Sequence, residues 1–136
     1  MPTWVRAKQS SGNRNPPSIK VEIFNDTGST AMTLSPQDAA KLGIDKPDYI
    51  GYLREGPLKF ANDEIVTVKQ AYVEICLTYP WSPDSIWITE RAMIFQPGRK
   101  KFSGSHMRDV FYFATSPSKS KLCIAQDKKT LFQLLP

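Results

Sequence analysis

From Ile19 to Phe24 the chain reads Ile-Lys-Val-Glu-Ile-Phe, an alternation of apolar and polar positions with the period of a half-buried strand. A turn-prone stretch, Asn25-Asp26-Thr27-Gly28-Ser29, follows it at once, and then an apolar pair at Met32 and Leu34. Ser35-Pro36-Gln37-Asp38 carries the signals of a helix start: Ser35 as N-cap, Pro36 in the first helical position, Asp38 in the first turn. The helix is short, because Gly43 closes it directly after Leu42. Leu58-Lys59-Phe60 and Ile65-Val66-Thr67-Val68 flank Ala61-Asn62-Asp63-Glu64 and predict a hairpin. Its second arm continues through Ala71, Val73, Ile75 and Leu77 on one face.

Further along, Pro80 and Pro83 mark a turn, Ile86 to Phe95 predicts another strand, and Pro97 to Gly104 a basic loop. Met107, Val110, Phe111 and Ala114 approach helical spacing, so His106 to Ala114 is expected as a second helix. Leu122 to Ala125 and Leu131 to Leu135 are expected as a closing hairpin around Gln126 to Lys129. The last arm is very apolar for a chain end, which predicts burial in an intersubunit sheet. Residues 5 to 18 are polar and rich in Ser, Asn and Pro, so 1–18 is expected as a flexible lead-in, with Trp4 inside it, and 19–136 as the domain.

Strands dominate this reading, and the expected class is all-β with one or two short helices. The 136 residues suit one domain, and the 11 prolines agree with many turns. The net charge of +5 raises the question of an anionic partner. The basic residues are scattered among turns without aromatic residues between them, so no nucleic-acid binding is expected. One His and two Cys give no zinc spacing, and no metal or cofactor is expected. Cys76 and Cys123 sit in apolar runs, as free core thiols do. With no apolar leader and no membrane span, the expectation is an intracellular, cytoplasmic protein.

The chemistry concentrates in Asp26-Thr27-Gly28-Ser29. Asp supplies a carboxylate able to activate water, Gly lets the backbone approach it, and the Ser29 hydroxyl can hydrogen-bond it. With its preceding strand and the Ser35-to-Ile44 helical unit, the block Val21 to Ile44 resembles the first half of retropepsin-like aspartic protease domains of the cellular and retroelement type. The likeness continues more loosely to residue 135. Ala61-Asn62-Asp63 resembles the family's flap turn, with Asp63 in place of glycine, and Phe102-Ser103-Gly104 resembles its hydrophobic-hydrophobic-Gly motif, with Ser103 out of pattern.

The resemblance implies a closed acid-protease barrel and Asp26 as the catalytic residue, with Thr27, Gly28 and Ser29 supporting its loop. A single Asp-Thr-Gly implies a homodimer, in which two Asp26 carboxylates meet at a two-fold axis, share a proton and activate a water against a peptide or protein substrate. Two other readings compete with this one: a catalytically degenerate version of the fold kept for dimerisation or peptide binding, and an unrelated small β domain with an anionic partner.

Overall fold

The computed structural model describes residues 1–77, 86–95, 100–117 and 121–135. The turn expected at Pro80 and Pro83 and the start of the basic loop at Pro97 lie outside them. The element order is β1 (Pro2–Ala7), β2 (Ser18–Glu22), β3 (Met32–Leu34), α1 (Pro36–Leu42), β4 (Tyr52–Lys59), β5 (Ile65–Leu77), β6 (Ile88–Ile94), α2 (Met107–Val110), β7 (Tyr112–Thr115), β8 (Leu122–Ala125) and α3 (Lys128–Leu134). The protein is mostly β, as the alternating pattern predicts.

Six strands form one sheet in the order β2-β1-β5-β6-β3, with β4 also paired to β5. The 13-residue β5 organises it. Its first half, Ile65 to Ala71, pairs antiparallel with β4, and its second half, Val73 to Leu77, pairs antiparallel with β1 along the same edge. The other edge carries β6, from Lys69↔Ile94 to Ile75↔Ile88, and β3 lies parallel to β6 beyond it. β7 and β8 form a separate antiparallel pair. Among the described residues the sheet does not close into the expected barrel.

The core gathers on the inward positions of these strands: Val5, Val21, Ile23, Met32, Leu34, Val73, Ile75 and Ala92, with Leu42 and Ile44 from the end of α1 and Met107 from α2. Each aliphatic side chain removed from water in this way contributes about 1.5–3 kcal/mol. A smaller cluster, Cys123, Ala125 and Leu131, seats α3 on β8. Both cysteines are free and buried. Among the described residues no helix is long and apolar enough to cross a membrane.

α1 forms as its sequence directs. Ser35 Oγ accepts from the Asp38 amide at 3.1 Å, the Asp38 carboxylate accepts from the Ser35 amide at 3.3 Å, and Gly43 closes the helix at φ 68°.

Three expectations are corrected. The flexible lead-in expected over 1–18 contains β1, whose Thr3, Val5 and Ala7 point inward and are buried, while Trp4 points outward. The helix expected from His106 to Ala114 ends at Val110. Phe111, Tyr112 and Phe113 are aromatic residues that favour a pleated strand, and the chain turns there into β7. The closing strand expected at Leu131 to Leu135 is the helix α3. Asp127 caps it, accepting from the Thr130 amide at 2.8 Å, and only Leu131 of its residues is buried, so the segment expected as a strand is helical as far as Leu134.

Candidate active site

Past β2 the chain leaves its partner and meets the segment before α2. The Phe24 amide donates to the Lys101 carbonyl and the Ser103 amide to the Phe24 carbonyl, both at 2.9 Å, so Phe24 and Phe102 form a parallel bridge. This bridge delivers the next residues, Asn25 and Asp26, to the surface beside Ser103.

Asp26 is half-buried. Its Oδ1 accepts from the Gly28 amide at 2.9 Å, and its carbonyl accepts from the Ser29 amide at 3.4 Å, so the loop is a tight turn around the carboxylate. The Ser29 hydroxyl, expected on the carboxylate, donates instead to the Ala31 carbonyl at 2.6 Å; that carbonyl lies two residues on, within reach of a short side chain. Thr27 is exposed. The loop's exit is tied by Arg91 Nη2 to Thr30 Oγ1 at 3.3 Å and by the Ser105 hydroxyl to the Thr30 carbonyl at 3.0 Å.

Asp26 faces a cleft of about 250 Å³. Phe60, Met93, Phe95 and Phe102 give it apolar walls, and Lys100 stands at its rim. Phe60 is the base of the candidate flap turn: its amide donates to the Glu64 carbonyl at 2.8 Å, and its ring packs 5.5 Å from that of Phe95. The turn residues Ala61, Asn62 and Asp63 are exposed beyond it. Asp63 adopts φ 63°, the left-handed conformation for which glycine is the usual choice, and Asp is among the few other residues that tolerate it. Asp63 thus takes a conformation that glycine commonly supplies, and its carboxylate pairs with Lys59 at 2.8 Å.

Two residues absent from the sequence-based site complete it. Ser103 is fully buried, and its Oγ accepts from the Asp26 amide at 3.0 Å. Arg108, on α2, donates through Nη2 to the Asp26 carbonyl, to Asn25 Oδ1 at 3.0 Å and to Ser103 Oγ at 2.9 Å, and through Nη1 to the Gly104 carbonyl at 2.7 Å. The available signal was Ser103 itself, a polar residue where the motif has an apolar one.

Beneath α2 lies a buried carboxylate. Glu90 on β6 accepts from the Arg91 amide at 2.9 Å and from the Met107 amide at 3.1 Å. Burial pushes its carboxyl above the ordinary value, against these two amides and the nearby His106 imidazole, which pull it down. Gly104 passes so close to Glu90 that a Cβ there would overlap the carboxylate. Among the described residues no group of three or more His, Cys, Asp or Glu is placed to hold a metal.

The arrangement offers one carboxylate, oriented by its own turn, at the side of an apolar groove. One carboxylate can take a proton from water; a second acid is needed to protonate the carbonyl under attack. No protein-family model, no curated protein and no solved structure matches the chain.

Proposed function

We propose that this chain is an aspartic-type endopeptidase that works as a homodimer. Two copies bring their Asp26 loops together about a two-fold axis, and the paired carboxylates share one proton. The ionised one takes a proton from a bridging water as it attacks the peptide carbonyl, and the other protonates the carbonyl oxygen. The observation that carries this reading is the shared cleft: the Asp26 carboxylate and the flap-base Phe60 line the same apolar groove. The substrate is a peptide or protein segment laid in that groove.

The test is Asp26→Asn. Asn keeps the size of the side chain and an oxygen able to accept from the Gly28 amide, so the fold is expected to survive, with stability equal or higher by about 1 kcal/mol once two crowded carboxylates are neutralised. Cleavage of a mixed peptide library at about pH 5 is expected to vanish. Cleavage that persists in the Asn variant removes Asp26 from the mechanism.

A specific observation favours a second reading, a degenerate scaffold that binds peptide or dimerises without cutting. Asp26 Oδ1 already accepts a local turn bond from Gly28, as a purely structural aspartate would, and Ser29 is turned away from it. Wild-type protein that binds peptides in the cleft and cuts none of them supports this alternative.

A further inference from the structure

We propose that Ser103 and Arg108 are positioning residues, a two-part clamp on the main chain of Asp26 that fixes where its carboxylate points. The proposal rests on the protease reading for its catalytic purpose and on geometry alone for the clamp.

The carboxylate itself has little to hold it. Among the described residues, one of its oxygens accepts one hydrogen bond, from an amide in the same exposed turn. Its orientation is therefore set by the backbone to which it is attached, and both polar groups of that backbone are engaged from outside the loop. The amide donates to Ser103 Oγ and the carbonyl accepts from Arg108 Nη2. The two halves of the clamp are joined, because Ser103 Oγ also accepts from Arg108 Nη2 at 2.9 Å.

Arginine suits this place by shape. Its planar fork sends one nitrogen to the Gly104 carbonyl and the other to the acceptors around Asp26, so a single side chain spans the motif before α2 and the Asp26 loop. A lysine ammonium is one point and cannot occupy both ends of that span. Ser103 is then explained as well. An apolar side chain at this fully buried position would orphan the Asp26 amide and remove one acceptor from the guanidinium. The polar residue at 103 and the arginine five residues on form one device.

Catalytic groups tolerate displacement poorly, and a shift of about 1 Å costs on the order of 100-fold in rate. Arg108→Met and Ser103→Ala are each expected to lower kcat by about 100-fold while KM stays within about threefold. Arg108→Lys is expected to recover less than about a tenth of the loss. The double variant is expected to be little worse than the poorer single one, since both remove the same clamp.

An arm independent of activity is hydrogen exchange at the Asp26 amide. It is expected to speed up by about tenfold or more in each variant, while the amides of Val73 and Ile75 in the sheet keep their protection. Unchanged Asp26 exchange with unchanged kcat overturns the proposal. Equal acceleration at Asp26, Val73 and Ile75 also overturns it, because the residues would then be ordinary fold supports. Cleavage that survives Asp26→Asn sinks the protease reading and not the clamp, which the exchange rates judge.

Discussion

Ser103 Oγ lies 3.0 Å from the amide nitrogen of Asp26, and 77 residues of chain separate the two. That one contact closes the loop between the Asp-Thr-Gly turn and the segment leading into α2. It also gives the serine in Phe102-Ser103-Gly104 a physical reason to be there.

Activity is expected to depend on protein concentration. Each copy supplies a single Asp26, so protomers alone have no pair. Well below the dimer Kd, specific activity should fall about tenfold for each tenfold dilution, because the dimer fraction does. A dilution series with a fluorogenic peptide checks this, and specific activity constant across the series would mean that one chain suffices.

Substitutions at Asp63 test the flap turn. Asp63→Gly relieves a left-handed residue but frees the unfolded chain and removes an exposed ion pair, effects that nearly offset. Stability should stay within about 1 kcal/mol of wild type. Asp63→Val places a β-branched residue at the same φ and should cost about 1–2 kcal/mol. Urea denaturation of the two variants measures the contrast, and equal stabilities would remove the argument from φ.

The contact between Gly104 and Glu90 predicts a steep penalty for one methyl group. Gly104→Ala drives that methyl into a buried carboxylate and should cost about 1–3 kcal/mol. The same change in a Glu90→Ala background should cost clearly less, since the obstacle is gone. A double-mutant cycle by chemical denaturation reads this, and additive penalties would count against the clash.

Asp38 and Glu90 bias stability in opposite directions of pH. For Asp38, burial raises the carboxyl, but the hydrogen bonds from Lys101 and Ser35 and the Lys101 charge outweigh it, so the folded value lies below 3.8. Its contribution is present above that unfolded value and is lost as pH falls through the folded one. For Glu90 the folded value lies above 4.5, chiefly through burial, so its contribution is complete below 4.5 and is lost as pH rises through the folded value. The penalty of Asp38→Asn should therefore be present at about pH 7 and fade in strong acid. That of Glu90→Gln should be largest near pH 4 and shrink towards neutrality. Stability curves against pH for the two variants provide the measurement, and penalties that do not change with pH would contradict it.

Local signals were legible where residues near in sequence decide the structure. Ser35, Pro36, Asp38 and Gly43 mark both ends of α1, and the alternation before Asp26 marks β2. The hairpin on either side of Ala61 to Glu64 pairs Lys59 with Ile65, as its two arms suggest. What stayed hidden depends on distant partners. β1 carries small inward residues, Thr3 and Ala7, so its alternation is faint, and it holds because β2 and β5 pair with it on both sides. α3 was obscured because Lys128 and Lys129 read as a turn, although Asp127 and Thr130 supply an N-cap. Asp26 stands out as a candidate from its motif. The sequence marks Ser103 only as out of pattern and does not single out Arg108, because only the folded chain brings the two to the Asp26 backbone.

β5 also has a mechanical meaning. Its partner β6 pairs with it only as far as Lys69, and from there to the turn at Asn62 the β4–β5 hairpin has no paired strand on that side among the described residues. The root of this overhang is built stiff: the Tyr49 hydroxyl donates to the Tyr72 carbonyl, the Tyr72 amide donates to the Gly51 carbonyl, both at 2.7 Å, and the pairing register shifts nearby, between Tyr52 and Arg54. The hairpin thus overhangs from Tyr72, and a bend there would move Phe60 relative to Phe95. In the proposed peptidase, loosening this anchorage by Tyr49→Phe is expected to change how long a peptide stays in the groove more than how fast its bond is cut.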